Sequence, residues 1–443
     1  MKKLLVFLLV VAAIGGAIAW WIRGPIAQTT TAALKAYPVY SFVRTRNEAL
    51  LRAAHRDVNA SNLLIHRADL AGPRDRSVTT PNNDTLYSFA FLDLASGPVE
   101  LTLPALPDRY HSVAVMDART DNIIVIGSRE GGLGGTIAIE SGESLPGRRP
   151  PGTAAMAGTY RIPTKEAWLL IRILVDGSAD LAAARSVQQG FVLAVPEASK
   201  RAARPAILLP TIPDPALLLR SANPLIAENP HLQDAGLAAT GYGGAAEAFD
   251  DLPVWRQWMW RILAPKIFAQ IADGIAAGSA ESPDGWSKSP PGIGTAEASD
   301  ALRAGVALGG LGALPATEAV YWSATVDDAQ AVLDGRNVYR LTLPATIPAR
   351  AFWSLSIYEI LPDGRRFYVE NPIDRYAIGS RTPGLARAAD GSLVLDISAT
   401  PPADRTNWLP VPEGRFTLIF RAYLPEQPIL DGSFRLPPVQ RLP

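Results

Sequence analysis

The sequence predicts a mainly β protein with a helical insert, preceded by one N-terminal membrane helix. Three observations carry that expectation. Short apolar or alternating runs, separated by Pro, Gly, Asp and Asn, fill residues 98–175 and return from Ala319, which is the period and punctuation of strands. Between them, over residues 178–312, the texture is alanine-rich and helical. The chain also opens on an uncharged run, Leu4 to Ile22, "LLVFLLVVAAIGGAIAWWI".

That run has the length a membrane-spanning helix needs. Lys2 and Lys3 precede it, Arg23 follows it, and Trp20 and Trp21 stand where interfacial anchors belong. Residues 1–23 therefore read as an inner-membrane anchor with the bulk of the chain in the periplasm. The alternative is a secreted protein released by cleavage at Ala17-Ile18-Ala19, a small-x-small site, although the run is long for a signal peptide. Residues 24–36 are small and polar and read as a tether.

Residues 37–177 read as an N-terminal β-sandwich. "PVELTL", "YHSVAVMD", "NIIVIGS" and "GTIAIE" are short strands, and "EAWLLIRILVDG" is apolar enough to be buried on both faces. Residues 178–318 form the helical segment. Ser178 offers an N-cap for its first helix, and a second begins near Asp250 or Asp251 with Pro253 early and Pro265 placed to kink or divide it. Trp255 and Trp258 share a face of that helix and read as core or inter-domain packing. From residue 319 to 443 strands alternate with Asp-Gly turns at Asp334-Gly335, Asp363-Gly364 and Asp390-Gly391, strong hairpin signals. A second β-domain, sandwich or jelly roll, follows.

Composition narrows the chemistry. The 443 residues suggest two or three domains, with 48% hydrophobic content and a balance of 42 basic against 42 acidic residues. No basic block marks a nucleic-acid partner. There is no cysteine, which removes disulfides, thiolate nucleophiles and thiolate metal sites. His55, His66, His111 and His231 include no pair at the i, i+4 spacing of a helical zinc site, so no metal is predicted. No P-loop, no G-x-G-x-x-G in a βαβ setting and no G-x-S-x-G element occurs, and "GGLGGT" at 131–136 reads as a hairpin loop, so no cofactor is predicted.

Polar residues concentrate in two loops. "TTPNNDTLYS" at 79–88 places Asn82, Asn83, Asp84, Thr85 and Tyr87 at the entrance to a sheet, a usual place for ligand contacts. The same residues are turn chemistry, because Asn and Asp side chains bond nearby backbone amides. "ENPIDRYAIGSR" at 370–381 supplies Asn371, Asp374, Arg375, Tyr376 and Arg381. Its arginines suit a planar anion, or an internal pair with Asp374 or Glu370. "MDARTDN" at 116–122 reads as a turn with a salt bridge, and Trp408 in "NWLP" either stacks on a ligand or plugs a sheet edge.

"TTPNNDTLYSFAFLDLASGPVELTLP", "RYHSVAVMDARTDNIIVIGSR" and "WLLIRILVDGSADLAAARSVQ" resemble a bacterial family, domain of unknown function 1254. "FWSLSIYE", "YVENPIDRYAIGSRTPGL", "DGSLVLDI", "NWLPVPEGRFTLIFRAYLP" and "LDGSFRLPPV" resemble its usual partner, domain of unknown function 1214. The likeness spans residues 37–440, with Tyr37-Pro38 lacking the glycine that usually precedes that pair. It implies an immunoglobulin-like β-sandwich, an α-helical middle segment and a jelly-roll-like C-terminal β-sandwich, and no established catalytic residues. The expectation is a membrane-anchored protein with a polar cleft between its β-domains, doing hydrolytic or acid–base chemistry on a small anionic or hydroxylated ligand. Asp84 would be the general acid or base, Tyr87 and Asn83 would orient the substrate, and Arg375 would stabilise negative charge. Asn371, Tyr376, Arg381 and Trp408 would complete the substrate contacts. The alternative is a non-catalytic ligand-binding or envelope-assembly module, and a homo-oligomer is left open.

Overall fold

The computed structural model describes residues 2–55, 61–76, 79–143, 156–195, 206–277, 284–362 and 364–443, without the side chains of 2–21 and 275–277. The first sheet is antiparallel, in the order β1 (Ile65–His66), β2 (Thr85–Asp93), β8 (Glu166–Leu174), β4 (His111–Met116), β5 (Asn122–Gly127). The second runs β7 (Met156–Ile162), β6 (Gly135–Ser141), β3 (Val99–Leu103), β9 (Val192–Ala194), with β6 and β7 parallel. Period-two alternation divides the side chains of the first sheet. Ala90, Leu92, Val113, Val115, Leu169 and Ile171 join Val99, Leu101, Ile137 and Ile139 of the second sheet in one apolar cluster.

The opposite face of the first sheet is covered by helices. Phe91, Met116, Trp168 and Leu170 pack with residues of α1 (Lys2–Ala54), α3 (Pro215–Glu228), α4 (Val254–Ala277) and α5 (Asp300–Gly309). This is why β8 is buried along its whole length. Helix starts are set locally: Asp214 accepts from the Leu217 amide (2.9 Å) with Pro215 in the first turn, and Ser299 accepts from Leu302 (3.2 Å). α1 lies against α3, α4 and α5 and buries Ala32, Ala33, Ala36, Tyr37, Tyr40 and Phe42.

The C-terminal half holds two more open sheets. One runs β10 (Trp286–Lys288), β11 (Ala319–Ala324), β18 (Phe416–Pro425), β13 (Ala349–Ile360), β14 (Arg366–Phe367), with β15 (Ala377–Gly379) also on β13. The other runs β17 (Trp408–Pro410), β16 (Leu393–Ser398), β12 (Tyr339–Leu343), β19 (Gln440–Arg441), with β16 and β17 parallel. A single apolar cluster joins them.

Several expectations are corrected. The fold is mixed α/β with several sheets and helices, not an immunoglobulin-like sandwich followed by a jelly roll. Among the described residues the sheets stay open without closing into a sandwich or barrel, two strand pairs are parallel, and a helical layer, rather than a mere insert, supplies much of the core. Among the described residues no helix is long and apolar enough to cross a membrane. The run Leu4–Ile22 falls where side chains lie outside the described residues. α1 does not end after that run but continues to Ala54, through residues 24–36, and its later turns are buried within the protein. The expected membrane partner, inner-membrane placement and periplasmic orientation lose their support with the anchor. Pro265 does not divide α4. In that helix Trp260 is the buried tryptophan, bonding the Thr240 carbonyl (3.0 Å), whereas Trp258 is 63% exposed.

Candidate functional site

The same strand alternation that builds the cores points a second set of side chains at the helices. Tyr87, Phe89 and Phe91 of β2 pair across the sheet with Arg172, Leu170 and Trp168 of β8. In the C-terminal sheet Tyr321 of β11 stands directly opposite Arg421 of β18. All of these line a cavity of about 910 Å³ at the meeting place of the two sheets and the helices. α1 contributes Leu34 and Ala49, α4 Ile267 and Ile271, and α5 Leu302, Gly305 and Val306. The volume lies within the range of ligand-binding cavities.

The wall of the cavity toward β8 and β18 carries buried charge. Arg172, Arg366 and Arg421 line it, are each buried, and make no ion pair among the described residues. Arg172 is 5% exposed. Its Nη2 donates to the Gly312 carbonyl (2.6 Å), its guanidinium lies 5.4 Å from the Tyr87 ring centre, and its Nη1 has no hydrogen-bond partner. Gly312 has φ +82, and a side chain there would press on Trp168 and Leu170, so glycine brings that carbonyl to the arginine. Arg421 is better satisfied, donating to Ser356 Oγ (2.9 Å), Tyr358 Oη (2.8 Å) and the Thr80 carbonyl (3.2 Å). Arg366 Nε has no partner.

The residues singled out from the sequence separate into two groups. The 79–84 loop joins the halves of the chain: Tyr358 donates to the Pro81 carbonyl (2.5 Å), Asn82 to Tyr423 Oη (2.7 Å), and Ser354 to Asp84 Oδ2 (2.5 Å). Burial raises the Asp84 carboxyl above its ordinary value, and Arg421 and Ser354 oppose that rise. Asp84 is absent from the cavity lining, as is Asn83, whose amide bonds the Ala71 carbonyl (2.5 Å). Tyr87 does line it.

The 370–381 segment mostly bonds to itself and its neighbours, although Glu370 and Asn371 also line a second cavity of about 520 Å³ with Arg336 and Glu359. Asn371 accepts from the amides of Ile373 and Arg375 and donates to the Arg375 carbonyl (3.0 Å). Arg375 donates to the carbonyls of Arg405, Thr406 and Trp408. Tyr376 bonds Asp374 (2.9 Å), and Arg381 pairs with Asp176. Trp408 is fully buried, its indole bonding the Ser398 carbonyl (3.0 Å). The expected polar cleft between β-domains is therefore corrected. The large cavity is mainly apolar and walled by strands as well as helices, and Asp84 and Arg375 do not line it. Glu48 is the one carboxylate among its described lining residues, and it is bridged to Arg52.

The residues missed in the sequence are Arg172, Arg366, Arg421, Tyr321 and Tyr423. A signal for two of them was present: an arginine inside an apolar run, "LLIRIL" and "LIFRAYL".

Two family profiles match the chain: "Protein of unknown function (DUF1254)" over residues 61–195, and "Protein of unknown function (DUF1214)" over 318–427. Among solved structures the chain is similar to the VPA0106 protein from Vibrio parahaemolyticus, with 20% identity and a TM-score of 0.64 over 94% of this chain and 100% of that one. That likeness is one of fold. An uncharacterized protein from Burkholderia cenocepacia aligns with 14% identity and a TM-score of 0.44, covering 97% of each chain. A comparison with curated proteins finds no match.

Proposed function

Because the chain belongs to the family in which a DUF1254 domain precedes a DUF1214 domain, whose descriptions carry no activity, we propose a function from the cavity: a non-catalytic module that binds a small amphipathic organic molecule. The single observation behind this reading is the cavity of about 910 Å³, lined by apolar side chains of α1, α4 and α5 together with the polar Thr45, Glu48 and Arg52 of α1, and by Arg172 of β8 and Arg421 of β18. Apolar burial supplies the main driving force for such a ligand, and a few placed polar groups orient it. An acid–base enzyme would need a carboxylate or imidazole aimed into the space, and the one described carboxylate there is already paired.

The test fills the cavity without harming the fold. A side chain at Gly305 of α5 would meet only Ile271, at 3.8 Å, and leucine is a better helix former than glycine by about 1 kcal/mol. Gly305→Leu should keep or raise the melting temperature and abolish calorimetric binding of ten-carbon probes such as 1-decanol and decanoate. Equal binding by both proteins overturns the reading.

A further inference from the structure

Resting on that binding role, we infer that the charged wall of the cavity is an anion site, centred on Arg172, and that the ligand is an organic anion with an oxyanion head and an apolar tail. The argument is one of donors and acceptors. Arg172 presents an Nη1 with no partner, and a guanidinium can only donate. Tyr321 Oη already accepts from the Leu314 amide (3.1 Å), and Tyr423 Oη already accepts from Asn82 (2.7 Å), so each phenol keeps its proton for another acceptor. Burial pushes both phenols above their ordinary range, so they stay protonated. That wall of the cavity therefore offers hydrogen-bond donors beside buried positive charge.

The nearby carboxylates do not neutralise it. Asp84 feels Arg421, and Glu318 feels Arg172, but neither forms an ion pair with its arginine among the described residues. Glu318 accepts from Tyr110 through one oxygen (2.8 Å) and has Arg129 as its nearest cation (3.9 Å), and Glu48 is bridged to Arg52. A buried guanidinium with an unmade hydrogen bond is costly unless a partner completes it. A carboxylate or sulfonate does so with a charge-assisted hydrogen bond, while its chain extends along Phe89, Leu170 and Ile271.

The experiment titrates the full chain with four ten-carbon probes: decanoate, decane-1-sulfonate, 1-decanol and decyltrimethylammonium. Both anions should bind the unaltered protein about tenfold or more tightly than the alcohol, and the cation no better than the alcohol. Arg172→Gln should bring decanoate to the level of 1-decanol and leave 1-decanol unchanged. Preference for one anion over the other identifies the head group. Equal binding of alcohol and anions, all lost in Gly305→Leu, overturns the anion site and leaves the cavity reading standing. Failure of every probe to bind overturns both. Full decanoate affinity in Arg172→Gln overturns the assignment to Arg172. The comparison of probes on the unaltered protein decides the matter even where the variant does not fold.

Discussion

Glu318 should make the protein lose stability as the pH rises through neutrality. Its side chain is 1% exposed, immediately before β11. One oxygen accepts from Tyr110 (2.8 Å), the other has no hydrogen-bond partner, and the Arg129 Nε lies 3.9 Å away. Burial pushes the carboxyl from its ordinary 4.5 up to about 7, against the pull of Tyr110, Arg129 and Arg172 and with the push of Glu130. Between those values the folded chain holds a proton that the unfolded chain has released. Stability is therefore complete below pH 4.5 and falls until the pH passes 7. The interval corresponds to about 3 kcal/mol. Glu318→Gln removes the titration, so unfolding free energies from urea titrations between pH 4.5 and 7.5 should fall with pH in the parent protein by about 3 kcal/mol more than in the variant. Asp121, raised to about 6, titrates in the same window but in both proteins, so the difference isolates Glu318. Parallel profiles would show that the carboxylate finds solvation the structure does not offer it.

Trp408→Ala should destabilise by about 3–5 kcal/mol, seen as an earlier urea midpoint, because the indole is fully enclosed and bonds Ser398; a midpoint close to the parent's would mean the site is exposed. Arg381→Ala should cost less than about 1 kcal/mol, since Arg381 and Asp176 are both substantially exposed, and should leave probe binding unchanged in calorimetry. Asp84→Ala should cost about 1–3 kcal/mol by leaving the Ser354 hydroxyl unpaired at the joint between the two halves, read by the same unfolding assay.

Most strands were legible because their period is local. "YHSVAVMD", "NIIVIGS" and "GTIAIE" became β4, β5 and β6, and "RFTLIFRAYL" became β18. α1 was not legible beyond its first turns. Residues 37–54 carry Tyr37, Pro38, Val39, Tyr40 and Val43, whose local preferences argue against a helix, and the stretch reads as the start of a β-domain. Tertiary packing decides otherwise. Tyr37 and Tyr40 are enclosed by the helical layer and donate to the carbonyls of Thr211 (3.0 Å) and Pro210 (2.6 Å), partners some 170 residues away that no window of sequence contains. The same layer turns the outer face of the first sheet from a solvent face into a core.

The cavity was not legible for a related reason. Clusters of short polar residues on loops look like ligand contacts, yet Asn, Asp and Arg on loops are also the residues best able to bond backbone. Asn371 and Arg375 do so with their neighbours, and Asn83 with Ala71. The informative positions were instead single charges among apolar residues. "EAWLLIRILVDG" reads as a strand buried on both faces, and Arg172 sits within it on the face of Trp168 and Leu170. A guanidinium cannot lose its charge on burial, so such a residue needs an internal carboxylate, a set of carbonyls or an external anion. Arg421, equally deep in β18, is satisfied by the Thr80 carbonyl together with the hydroxyls of Ser356 and Tyr358. Arg172, in the cavity wall, takes one carbonyl and keeps an unmade bond at its buried Nη1. Two arginines at like positions in two sheets thus differ in how far the protein satisfies them, and that difference makes Arg172 the residue a ligand would complete.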